Sequence, residues 1–391
     1  MSPWLWDASL TIEDVVRGSG ASRVPYAVAV PLAFLASGTL MRWLAWQSGA
    51  DPSGAGFAEA FCRWDCEWYV DIALGGYDGF PVTGERGIGN WAFFPLYPMT
   101  MRLLSYIVPL PFHVLAFAVS SLVSVATCLA AWRLLGRDRA VYAVFCAYLL
   151  AGPFSVYFTT FLTEPLFVLL GIGVLAALRR NAWLAAAALT ALLSATRIVG
   201  VFMVFAIAWR MLVEHRRAGG RLRSFPAAVL SRPDWLLAIF LAPAGLFAYM
   251  LFLHLHMGDG LAFAHVQRSW AREAAWPWLH LHHALTTSWG MSWPVAGQWH
   301  ALAAIAGICM GVWILWRRDV GVGAFILVCV VLPLTAGVAS QVRFVATLVP
   351  FSLASGRGTM PAGAAAAAVV ALHAAGYLLT VAWLANAQAL I

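Results

Sequence analysis

Between residues 111 and 134 the chain reads PFHVLAFAVSSLVSVATCLAAWRL, with no formal charge until Arg133. A helix of about 20 predominantly apolar residues crosses the hydrocarbon core of a bilayer, so this stretch predicts a transmembrane helix. Ten more apolar runs accompany it, at 24–46, 140–153, 158–178, 183–195, 198–213, 235–257, 301–316, 320–338, 343–356 and 361–385. Several are short and require tilt, or shelter by neighbouring helices. Of the 391 residues 62% are apolar and 10% charged, with mean hydropathy +0.80. Soluble domains carry roughly 25% charged residues, and no water-soluble surface can be built from this composition. The expected fold is all-α: a polytopic membrane protein of about 11 transmembrane helices, forming a single domain over 1–391.

All 24 basic residues are arginine, and the net charge is +7. Such a balance can mark a nucleic-acid partner, but in a membrane protein arginines first mark cytoplasmic loops, so no nucleic acid is expected. With the N-terminus inside, Arg17, Arg23, Arg133, Arg137, Arg139, Arg179, Arg180, Arg210, Arg216, Arg217, Arg221, Arg223, Arg232, Arg317, Arg318 and Arg357 are cytoplasmic, 16 of 24. Arg63, Arg86, Arg102, Arg197, Arg268, Arg272 and Arg343 fall outside, and Arg42 lies within the first span. This parity makes 93–108 a re-entrant or interfacial segment, in keeping with Pro95 and Pro98. It also places two large loops, 47–110 and 258–300, on the outer face. The first 23 residues carry Asp7, Glu13 and Asp14 and lack an apolar core, so the first run is expected to act as an uncleaved start-transfer span. Cys62 and Cys66 sit one helical turn apart in the first outer loop; a disulfide is conceivable, although helical geometry fits it poorly.

The chemistry gathers in those loops. On a helix through 61–77 (FCRWDCEWYVDIALGGY), Phe61, Trp64, Trp68 and Ile72 form one apolar stripe. Asp65 flanks the stripe beside Tyr69, Arg63 and Glu67 are spaced to pair, and Asp71 borders the far side. Either this is an interfacial helix holding Asp65 against aromatic rings, or its acids are merely solvated. The segment 90–98 (NWAFFPLYP), with Trp91, Phe94 and Tyr97, makes a stiff turn that closes over a lipid chain or simply supports the loop. Glu164, in Thr163-Glu164-Pro165, stands near the outer end of a span, where a carboxylate marks either a site or a structural pair. Its candidate partners are Arg197 and Arg343, whose forked guanidiniums also suit a phosphate. The run 265–273 (HVQRSWARE) offers Gln267 and Arg268 to a phosphate or sugar, or forms a solvated lid. His280, His282 and His283 read as structural or interfacial rather than as metal ligands, so no metal and no cofactor is expected. No P-loop, dinucleotide fingerprint or nucleophile elbow is present, which argues against a soluble nucleotide donor.

The double motif RWDCEWYVDIALGGY (63–77) and NWAFFPLYP (90–98) resembles the PIG-V branch of the GT-C glycosyltransferases, the GPI mannosyltransferase II type with bacterial relatives. The shared positions are Trp64-Asp65, Trp68-Tyr69, Ile72-Ala73, Gly76-Tyr77 and Ala92 to Pro98. Glu164 in FTTFLTEPLF resembles the family's Thr/Ser-Glu-Ser/Pro-Leu-Phe stretch, and Arg343-Phe344 resembles its Arg-Tyr/Phe ahead of a late Pro-Phe, here Pro350-Phe351. SATRIVG (194–200) keeps Thr-Arg and Gly but lacks the Ser-Asn of eukaryotic members, so a GPI precursor is not assigned as acceptor. The resemblance implies a GT-C-like inverting mannosyltransferase of the bacterial cytoplasmic membrane, with its site outside. It would use a polyprenyl-phosphate-mannose donor and a lipid or glycan acceptor. By the same resemblance Asp65 would be the general base. Trp64, Glu67, Trp68, Tyr69, Asp71, Trp91, Phe94, Tyr97, Glu164, Arg197, Gln267, Arg268 and Arg343 would line the substrate site, with Arg343 and Arg197 on the phosphate. The rival readings are a flippase or transporter of a lipid-linked sugar, and a GT-C enzyme using another polyprenyl-phosphate sugar.

Overall fold

The computed structural model describes residues 23–80, 88–135, 138–270, 272, 274–287, 297–317, 319–356 and 359–386. Arg17, Arg86, Arg137, Arg318 and Arg357 of the charge count lie outside them. Each of the eleven apolar runs is helical, and the described residues contain no strand. In chain order the principal helices are α1 (Arg23–Gln47), α2 (Asp65–Gly75), α3 (Leu96–Ile107), α4 (Phe112–Leu135), α5 (Arg139–Ala151), α6 (Glu164–Arg179), α7 (Trp183–Ser194) and α8 (Val204–Arg217). They continue with α9 (Pro233–Leu241), α10 (Ala244–Met257), α11 (Pro277–Thr286), α12 (Gly297–Trp316), α13 (Val320–Leu334), α14 (Gln341–Ser355) and α15 (Ala362–Leu384).

Five stretches are long and apolar enough to cross a bilayer alone: Tyr26–Gln47, Phe112–Leu135, Ile198–Arg217, Gly297–Trp316 and Ala362–Leu384. The pair α9 and α10 adds a sixth, bent by 42°. This is the architecture of a multi-pass membrane protein. Two runs expected to be continuous are broken, and proline explains both. The run 235–257 bends where Pro243 removes a backbone donor. The run 158–178 splits into a short helix, Ser155–Thr159, and α6, which begins at Glu164 with Pro165 in its first turn. Proline suits the first turn of a helix, so the sequence Thr-Glu-Pro favours a helix start at this depth.

The helix at 93–108 is α3, only 12 residues and so ~18 Å long, too short to span. It buries Tyr97 and Met101 and exposes Leu103, Tyr106 and Ile107, an amphipathic distribution suited to an interface. Elsewhere helices approach closely through small residues, as membrane bundles do without a hydrophobic drive between helices. A side chain at Gly38 of α1 would stand 2.0 Å from the Leu150 carbonyl of α5. One turn further on, the buried Arg42 donates to that same carbonyl at 3.2 Å and to Ser155 Oγ at 3.1 Å.

Candidate active site

Asp65 opens α2 because the chain turns abruptly just before it. Trp64 has φ +53° and ψ −111°, a backbone region that a bulky L-residue rarely occupies. The strain is held from both sides. Cys62 and Cys66 form a disulfide across the turn, with Cα atoms 5.2 Å apart, and Trp64 packs edge-on against Trp383 of α15 at 4.7 Å. The helix expected through 61–77 therefore starts only at residue 65. Phe61 and Trp64 leave the stripe, and the bridge forms because Cys62 precedes the helix rather than lying on it. Arg63 pairs with Asp51 at 2.6 Å, not with Glu67 as its spacing predicts, since the two do not share a helix. The buried face of α2 is Cys66, Tyr69, Ile72 and Ala73. Glu67 and Asp71 are exposed on the opposite face.

Three elements distant in sequence meet Asp65. Arg343, in the first turn of α14 and buried, donates Nη2 to Asp65 Oδ2. Its Nε lies 3.3 Å from Glu164 Oε1. Arg197 donates Nη1 to the same oxygen at 2.8 Å. Arg197 reaches it from the reversal between α7 and the 3-10 turn Ile198–Met203. That reversal is tight: a side chain at Gly200 would stand 2.4 Å from the Leu193 carbonyl. The ring of Phe344 sits beneath both guanidiniums, 4.8 Å from that of Arg197 and 5.7 Å from that of Arg343. The result is a chain of alternating charge, Asp65–Arg343–Glu164–Arg197. Glu164 is 1% exposed and Asp65 27%. Burying such charges costs several kcal/mol per ion, recovered only by close pairing. Both geometries expected of a structural Glu164 pair are thus present at once. Three atoms remain unmatched among the described residues: Glu164 Oε2 and Arg343 Nε are buried without a hydrogen-bond partner, and no hydrogen bond to a described residue occupies Asp65 Oδ1.

Aromatic rings wall this cluster. Trp68 stacks on Phe93 at 5.5 Å, and Trp270 meets both edge-on at 5.8 and 6.1 Å. Tyr69 meets Phe93 edge-on at 5.2 Å and sets its hydroxyl 3.5 Å from Thr163 Oγ1. Trp270 arrives on a 3-10 turn, Val266–Trp270. Arg268 is exposed. Gln267 Oε1 instead accepts from Arg272 Nη1 at 3.0 Å. Burial lowers the pKa of Arg272, Asp65 acts in the opposite sense, and Arg343 lowers it further. Arg272 therefore belongs to the same cluster, although its spacing carried no signal beyond its outer position.

The remaining candidates lie apart. Trp91 and Phe94 pack with Tyr249 and Phe263 in a separate apolar cluster, and Trp91 Nε1 donates to the Asp78 carbonyl at 2.8 Å. Tyr97 is buried with its hydroxyl 2.6 Å from Ser120 Oγ. His280, His282 and His283 lie on α11, and among the described residues no group of three His, Cys, Asp or Glu side chains is placed to hold a metal. A scan of protein-family models and a search of curated proteins match nothing to this chain.

Proposed function

We propose that this protein is an inverting glycosyltransferase, moving mannose from a polyprenyl-phosphate-mannose donor to an extracytoplasmic lipid or glycan. The observation that carries the reading is one half-open carboxylate, Asp65, fixed by a buried arginine and bordered by an aromatic wall. Apolar rings stack on sugar faces, and guanidiniums accept the charge that develops on a departing phosphate. The acceptor hydroxyl attacks the anomeric carbon from the face opposite the lipid phosphate. Asp65 Oδ1 takes the hydroxyl proton while Oδ2 stays on Arg343. The C1–O bond to the phosphate breaks, its electrons pass to the phosphate oxygen, and the configuration at C1 inverts. Orientation follows from the arginine parity: N-terminus cytoplasmic, and the Asp65 end of the bundle facing outward in a bacterial cytoplasmic membrane.

The test is transfer of labelled mannose from a short-chain polyprenyl-phosphate-mannose by detergent-purified protein, with total membrane lipids as acceptor. Detergent abolishes any gradient, so turnover separates an enzyme from a flippase. Asp65→Asn is expected to bind donor and lose about 10²- to 10⁴-fold in turnover, the usual contribution of a general base. Wild-type turnover by Asp65→Asn would remove Asp65 from the chemistry.

A further inference from the structure

Of the three guanidiniums around Asp65, two are already committed. Arg343 lies between Asp65 and Glu164, and Arg197 is bonded to Glu164. Two carboxylates against three arginines leave a surplus of one positive charge among the described residues. That surplus resides on Arg272, whose side chain bonds only to the neutral amide of Gln267. A partly desolvated cation is costly, and the one carboxylate that acts on Arg272, Asp65, is already bonded to Arg343. Trp270, two residues earlier, brings this segment onto the aromatic wall beside Trp68.

We infer that Arg272 is the phosphate-binding residue of the site, held in place by Gln267. This rests on the reading of the preceding subsection and refines it: Arg343 and Arg197 organise the carboxylates, and Arg272 receives the anion. The Gln267 carbonyl accepts one Arg272 N–H and leaves the other donors of the fork for phosphate oxygens.

The experiment is equilibrium binding of radiolabelled farnesyl phosphate and farnesol to the purified full-length protein in detergent. Wild type is expected to prefer the phosphate. Arg272→Gln should weaken farnesyl phosphate by about 10- to 100-fold, the range for a charge-assisted hydrogen bond, and leave farnesol unchanged. Arg272→Lys should restore part of the loss. Gln267→Glu should act like Arg272→Gln, because it supplies the missing counter-ion without removing the arginine. Unchanged phosphate preference in both Arg272→Gln and Gln267→Glu would overturn the assignment and leave the proposed donor class standing. A wild type that does not distinguish phosphate from alcohol would overturn both.

Discussion

Arg197–Glu164 and Arg232–Glu214 are ion pairs of the same length, 2.8 Å, at opposite ends of the helix bundle. The first is 15% and 1% exposed, the second 41% and 29%. Bond length therefore says little about what each pair does. At the Asp65 end, Glu164 and Arg343 are buried, and the charges answer one another across separate segments, Arg343 and Asp65 lying 278 residues apart. At the other end they face solvent or bond to backbone: Arg179 donates to the Leu134 and Ala354 carbonyls at 3.0 and 3.3 Å, closing the ends of α4 and α14. Membrane proteins rarely bury ionised groups without a task for them, so the asymmetry favours the proposed site at the Asp65 end.

Removing one arginine from each pair tests this contrast most strongly. Arg197→Met leaves Glu164 buried with only the longer Arg343 contact, and is expected to cost about 3–5 kcal/mol. Arg232→Met should cost about 0–1 kcal/mol, and that loss should shrink with added salt. Unfolding in mixed micelles at two salt concentrations reads both. Equal costs would mean that the two ends do not differ, and the argument for a specialised end would fail.

The second test concerns the turn that aims Asp65. Cys62→Ser or Cys66→Ser frees Trp64 from a backbone conformation worth about 1–3 kcal/mol of strain. A five-residue ring constrains the unfolded chain little, so by the loop-entropy argument stability should change by about 2 kcal/mol or less. Turnover should fall more than stability predicts, because a misplacement near 1 Å is enough to spoil a reacting geometry. The comparison sharpens if kcat drops several-fold while the melting temperature of the bundle barely moves. A fall in both together would make the disulfide a general staple rather than a positioning device.

Much of the fold was legible because apolar length is a local signal, and each apolar run is helical, two of them broken at proline. Asp65, Glu164, Arg197 and Arg343 were legible as polar residues at span ends and in loops, and they do converge. The details that failed share a cause. The pairing of Arg63 with Glu67 and the doubt over the Cys62–Cys66 bridge both assumed one continuous helix, whereas Trp64 takes a positive φ. Tryptophan gives no hint of that, since glycine and asparagine are the usual signals. Arg272 was passed over for Arg268 because a 3-10 turn shifts which side chains share a face, and the charges that act on it, Asp65 and Arg343, lie on α2 and α14. No local periodicity encodes such a contact.

The smallest test lies at the quiet end. Asp138, between α4 and α5, caps α5 by accepting from Ala140 N and Val141 N at 2.9 and 3.0 Å, and accepts from Met360 N at 2.9 Å. The Val141 N–H bond leads in holding its carboxyl below the usual range, with desolvation opposing and the Met360 and Ala140 bonds assisting. A depressed carboxylate stabilises the fold above its unfolded pKa, and the gain is lost as pH falls through the folded one. Asp138→Ala should cost about 0.5–2 kcal/mol near neutral pH, with the gap to wild type closing below about pH 4. Asp138→Asn retains a capping oxygen and should lose the pH dependence while keeping most of the stability. Neither variant should alter the proposed mannosyl transfer near neutral pH, because backbone, and not another charge, satisfies this carboxylate. A transfer defect in Asp138→Asn would mean that the two ends are coupled, so that burial of charge at one end no longer suffices to locate the chemistry.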